Sequence, residues 1–107
     1  MRKITKEASK AFFNRKRFKK DNTRVRVSEN GNVSLWLFGY MIAWTFNGRI
    51  YFSMRGFPTA TTRERLNGLG INITQRNGEQ YYKGHVVNCW DEYATDLCLN
   101  NRPSFLE

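Results

Sequence analysis

Apolar residues recur at every second position through much of the chain, in the sets Val25 and Val27, Val33 and Leu35, and Ile50, Phe52 and Met54. A period of two marks half-buried strands, whose successive side chains point to opposite faces. If those residues line a core, Arg24, Arg26, Trp36, Arg49, Tyr51 and Arg55 are left on the other face. Asn-Gly dipeptides stand at 30–31, 47–48, 67–68 and 77–78. Asn-Gly supplies the positive φ angles of two-residue hairpin turns. Three of the four are flanked by strand-like runs: 24–28 with 33–38, 41–46 with 49–55, and 71–76 with 80–83. Gly39 and Tyr40 read as a bend inside one long strand from Val33 to Phe46.

Helical periodicity takes over at three places. From Thr5 to about Lys20, steps of 100° place Ile4, Ala8, Ala11, Phe12 and Phe18 on one side and Lys3, Lys6, Lys10, Arg17 and Lys20 on the other. Thr61 followed by Glu64 has the spacing of a capping box, opening a short helix over Arg63 to Leu69 that Gly68 or Gly70 would stop. Asn88 can cap a third helix carrying Trp90, Tyr93, Ala94 and Leu97 and ending before Pro103. Its Asp91, Glu92 and Asp96 would lie beside the basic helix and partly neutralise it. The order is helix, four strands, helix, two strands, helix. This predicts an α+β fold: a mainly antiparallel β-meander of about four to six strands with an N-terminal basic helix, a short middle helix and a C-terminal helix. Residues 1–22 form the basic amphipathic segment and 23–107 the α+β domain.

Charge changes the picture. The net charge is +9, and residues 1–26 hold eleven basic and two acidic side chains while residues 27–107 hold seven of each. Charge collected at one end suits a polyanion. With 107 residues, 40% of them hydrophobic, the chain can close one core without staples. Its longest apolar run, around Leu35 to Ile42, falls far short of the roughly 20 residues of a spanning helix. Frequent charges near Met1 interrupt any secretory signal, so a cytoplasmic protein is expected, with no membrane partner. Cys89 and Cys98 fit no redox or zinc spacing and should stay thiols. The oligomeric state is open, a homodimer included.

Catalysis finds few candidates. His85 is the only histidine, and Cys89 lies four residues on, across an expected strand-to-helix joint. Metal-ligand spacing and Gly-rich phosphate loops are absent. The expectation is a binding protein with no catalytic residues, no metal and no cofactor.

A polyanion has three candidate surfaces. On the first helix and its continuation, Lys6, Lys10, Arg15, Lys16, Arg17, Lys19 and Lys20 would hold phosphates and Phe13 would either stack on a base or enter the core. The sheet face with Arg24, Arg26, Trp36, Arg49, Tyr51 and Arg55 is either an open platform for single-stranded nucleic acid or a face covered by a helix. At the start of the middle helix, Thr62, Arg63 and Arg65 would receive a phosphate, unless the segment is a plain capped turn.

The stretch Leu37-Phe38-Gly39-Tyr40-Met41-Ile42-Ala43, the block Gly56-Phe57-Pro58-Thr59-Ala60-Thr61-Thr62-Arg63-Glu64-Arg65-Leu66-Asn67-Gly68-Leu69, and Ala11-Phe12-Phe13 with Asn22-Thr23 resemble a widespread family of small bacteriophage proteins of unassigned function. That family usually has His and Asn beside the glycine, where this chain has Phe38 and Tyr40. The resemblance implies an accessory phage protein in a bacterial host cytoplasm. It leaves two functions open: binding nucleic acid through the basic helix and sheet, or acting as a host-takeover or anti-defence inhibitor docked on a bacterial nucleic-acid-processing protein.

Overall fold

The computed structural model describes residues 1–103, so the last four positions of the expected 23–107 domain lie outside the described residues. The elements are α1 (Lys3–Phe13), β1 (Phe18–Lys20), β2 (Thr23–Val27), β3 (Val33–Leu37), β4 (Tyr40–Phe46), β5 (Arg49–Phe52), α2 (Ala60–Asn67), β6 (Thr74–Arg76), β7 (Glu79–Tyr82), β8 (His85–Val87) and β9 (Tyr93–Cys98). Six strands form one sheet in the order β1-β2-β3-β4-β5-β9, every pairing antiparallel, and β6-β7-β8 form a second, smaller sheet.

Two-residue turns with positive φ set the register. Asn47 (φ 52°) and Gly48 (φ 79°) join β4 to β5, and Asn77 (φ 52°) and Gly78 (φ 79°) join β6 to β7, as the dipeptides predict. The third hairpin, around Asn30-Gly31, closes through a longer loop in which the Ser28 amide donates to the Asn32 carbonyl at 2.9 Å. Phe38 (φ 51°) and Gly39 (φ 81°) make another two-residue turn, so the expected long strand from Val33 to Phe46 is two strands folded on each other. Across this hairpin Leu35 faces Ala43 and Trp36 faces Met41, which leaves Ile42 as the extra residue of a bulge.

The first helix is shorter than its periodicity suggests. Asn14 ends it, the Arg15 amide turns back to Phe12 O at 3.2 Å and the Lys16 amide to Ala11 O at 2.9 Å, with Arg15 at φ 53°. This is a Schellman stop with Arg in the left-handed position that Gly usually fills. Phe18, expected on the helix, instead faces Val25 from the edge strand β1. Phe12 and Phe13 are both buried and meet edge to face at 5.6 Å, so Phe13 belongs to the core.

The capping box also gives way. Thr59 is the N-cap of α2, its hydroxyl accepting from the Thr62 amide at 3.2 Å, while the Glu64 carboxylate accepts from the Arg2 amide at 2.8 Å at the start of α1. In the tail, Asn88 Oδ1 does accept from the Trp90 amide at 2.8 Å, but the next element is the strand β9, not a helix. Tyr93, Thr95 and Leu97 alternate with the exposed Ala94, Asp96 and Cys98, and pairing to β5 overrides the weaker helical spacing. The tail's acids therefore miss the basic helix: Glu92 pairs with Arg55 at 2.9 Å and Asp96 with Lys83.

Both helices and the main core lie on one side of the large sheet. Ala8, Phe12, Val25, Leu35, Ala43, Phe52, Leu66 and Leu69 join in one buried cluster, and Tyr82 of the small sheet meets Phe52 edge to face at 5.3 Å.

Candidate nucleic-acid interface

Alternation along β2 to β5 sends every second side chain away from that core. Two cross-strand rows result. One runs Lys19, Arg24, Trp36, Met41; the other runs Arg26, Ser34, Trp44, Tyr51, Ala94. At about 4.8 Å between strands, the longer row spans roughly 19 Å. Because Val25 and Leu35 bury against α1, the rows that include Arg24, Arg26 and Trp36 lie on the opposite side, and no helix among the described residues covers them.

Cations and rings are interleaved on this face. The Arg26 guanidinium sits 5.1 Å from the Trp36 ring centroid and that of Arg55 sits 5.0 Å from Trp44. Trp44 and Tyr51 are near parallel, 11° apart with centroids at 6.2 Å. The Trp36 indole N–H donates to Ser34 Oγ at 2.8 Å, which fixes the ring. Arg55 is tethered further, donating to Met41 O at 2.7 Å and pairing with Glu92, so its charge is partly spent. Arg49 is exposed and donates to the Thr95 carbonyl. Toward the β1 edge, Arg17, Lys19, Arg24 and Arg26 line an open groove of about 630 Å³, and Lys19, Arg24 and Arg26 continue into a neighbouring one of about 510 Å³ that reaches Trp36.

The other expected surfaces do not join this one. Lys6 and Lys10 are exposed on α1, on the far side of the sheet. Lys20 turns toward α1 and pairs with Glu7 at 3.3 Å. Arg15 and Lys16 are exposed in the link between α1 and β1. At the start of α2 the residues expected to receive a phosphate are split: Thr62 is buried and Arg65 is 1% exposed, while Arg63 is only half-buried. Arg65 donates to Thr5 Oγ1 at 2.7 Å, Thr23 Oγ1 at 3.0 Å and Glu64 Oε2 at 3.2 Å. Burial pulls its guanidinium below the ordinary value, with the Glu64 charge opposing. Arg63 is held between Pro58 O at 3.1 Å and Gln80 Oε1 at 2.9 Å, tying α2 to β7.

Trp44 is the residue of this face that the sequence pattern left out. Counting back from the Asn47-Gly48 turn would have found it, since Phe46 then faces Arg49, Thr45 faces Ile50 and Trp44 faces Tyr51. His85 and Cys89 stand on β8 and in the loop beyond it, and no group of three or more His, Cys, Asp or Glu side chains among the described residues could hold a metal ion. No helix is long and apolar enough to cross a membrane among the described residues.

No curated protein and no solved structure matches the chain. A family profile described as "Kyanoviridae Gp96 protein" matches residues 1–100, a span that includes both helices and all nine strands of the described residues. The chain therefore belongs to the Kyanoviridae Gp96 family of bacteriophage proteins.

Proposed function

We propose that the protein binds single-stranded nucleic acid on the outer face of its six-stranded sheet, acting as a non-enzymatic accessory factor in the cytoplasm of an infected bacterium. One observation carries the reading: Trp36, Trp44 and Tyr51 stand together on an uncovered face, next to Lys19, Arg24 and Arg26. Indole and phenol rings give unstacked bases a surface that any base can use, while neighbouring cations neutralise phosphates and release counterions. A duplex already has its bases stacked and would use only the charges.

The test is titration with an oligothymidylate of about 12 nucleotides, within the usual site size of such binders. Base stacking is worth about 1–3 kcal/mol per base, so Trp36→Leu and Trp44→Leu should each weaken binding at least about fivefold while circular dichroism shows a folded protein. A folded Trp36→Leu, Trp44→Leu double variant that keeps full affinity would overturn the reading.

A further inference from the structure

We infer a second binding site, an apolar pocket between the Phe38-Gly39 turn and the start of α2, that takes one large apolar side chain from an acidic segment of a protein partner. The pocket holds about 230 Å³. Its inner wall is Leu37, Ile42 and Met54, all buried. Its rim is aromatic and faces solvent: Phe38 is 67% exposed, Tyr40 50% and Phe57 45%, and the Tyr40 and Phe57 rings touch at 5.1 Å. Three large aromatics left in water around a preformed apolar hollow gain nothing for folding, and such patches mark sites of association.

The chemistry of the lining selects the occupant. Thr59 and Thr62 line it with hydroxyls already bonded to each other at 3.0 Å, and the phenol of Tyr40 belongs to the exposed rim. A nucleobase seated there would lose the hydrogen bonds of its polar edge, a cost that an aliphatic or aromatic side chain avoids. The surroundings select the charge. Phe38 is shared between the pocket and the adjoining groove, where Lys19, Arg24 and Arg26 stand against the single carboxylate of Asp21. None of the three cations is in an ion pair among the described residues. A second copy of this chain would bring another net +9 against that groove, so self-association is disfavoured and an acidic partner is favoured. The site is separate from the Trp36 and Trp44 platform, although both draw on the same cations.

The experiment uses the full chain and a capped peptide of alternating Asp and Glu with one central Phe. Three comparison ligands accompany it: the same peptide with Ala in place of Phe, one with Asn and Gln in place of the acids, and the oligothymidylate. Binding is followed through the Met54 methyl and the Tyr40 and Phe57 ring resonances. The acidic Phe peptide should shift these signals and bind at least tenfold more tightly than either altered peptide. Phe38→Ser and Phe57→Ser should each weaken the peptide at least fivefold, and Phe57→Ser, whose side chain lines the pocket and not the groove, should leave the oligothymidylate unaffected. Equal binding of the Ala peptide, or of the uncharged one, or a Met54 shift caused by the oligothymidylate instead, would overturn the assignment, as would no peptide binding at all. Failure of the nucleic-acid reading would appear separately, as an oligothymidylate that does not bind the tryptophan face.

Discussion

Inside the protein the guanidinium of Arg65 donates to the hydroxyl of Thr5 at 2.7 Å, and so links the second helix to the first across sixty positions of chain. A second bond, to Thr23 Oγ1 at 3.0 Å, brings in β2. Arg65 is therefore a joint between three elements, and its chemistry is structural. Arg65→Met keeps most of the volume but leaves both hydroxyls without this donor. It should cost about 1–3 kcal/mol in denaturant unfolding, with nucleic-acid affinity of the folded protein unchanged. A loss of affinity without a loss of stability would return Arg65 to the binding surface.

Close approach of the two helices depends on Gly68. A Cβ there would come within 2.5 Å of Ser9 Oγ and 2.6 Å of Thr5 Cγ2, while the backbone angles suit any residue. Gly68→Ala should thus destabilise through overpacking, by about 1–3 kcal/mol. Gly48 is the opposite case, with open space around it but φ at +79°. Gly48→Val should cost roughly 1 kcal/mol or more through backbone strain alone. Thermal unfolding of both variants checks the two mechanisms, and an unchanged Tm in either would remove that mechanism.

The cap of α2 separates two neighbouring threonines. Thr59 accepts from the Thr62 amide, so Thr59→Ala should cost about 0.5–2 kcal/mol. Thr61, the cap that the sequence suggested, lies within the helix and should tolerate alanine within about 0.5 kcal/mol. Equal losses in chemical denaturation would contradict the assigned boundary.

These residues also show which features sequence could reveal. The hairpins at Asn47-Gly48 and Asn77-Gly78 were legible because one dipeptide carries both unusual backbone angles. The turn at Phe38-Gly39 and the helix stop at Arg15 were not, because Phe and Arg stand at left-handed positions that Gly or Asn usually fills. Strand β9 was hidden by chance helical spacing of Trp90, Tyr93, Ala94 and Leu97, and only its partner β5 decides the matter. On the candidate face, Arg24, Arg26, Trp36, Arg49 and Tyr51 were legible from period two, whereas Trp44 follows from counting back from the Asn47-Gly48 turn, a step the apolar alternation alone does not supply. Burial of Arg65 and Phe13 depends on how α1 packs, which local pattern does not encode.

The same packing divides the basic charge between two sides of the molecule, and this gives the sharpest test of where phosphates lie. Lys6 and Lys10 project from α1 on one side of the sheet, and Lys19, Arg24 and Arg26 belong to the other. Removing α1 to probe the charge would fail, because Ala8, Phe12 and Phe13 are part of the core. Charge substitution avoids that problem. If the strand lies on the sheet face, the triple variant Lys19→Gln, Arg24→Gln, Arg26→Gln should reduce the slope of log affinity against log salt by up to about 2, at roughly 0.7 for each phosphate no longer neutralised. Lys6→Gln with Lys10→Gln should leave the slope nearly level with the parent, since screened charges on the far side add only a weak long-range attraction. Surface lysines and arginines contribute little to folding, so both variants should melt close to the parent. The reverse pattern, a slope that falls with the helix pair and stays with the sheet triple, would move the nucleic acid to α1 and leave the tryptophan face without its assigned ligand.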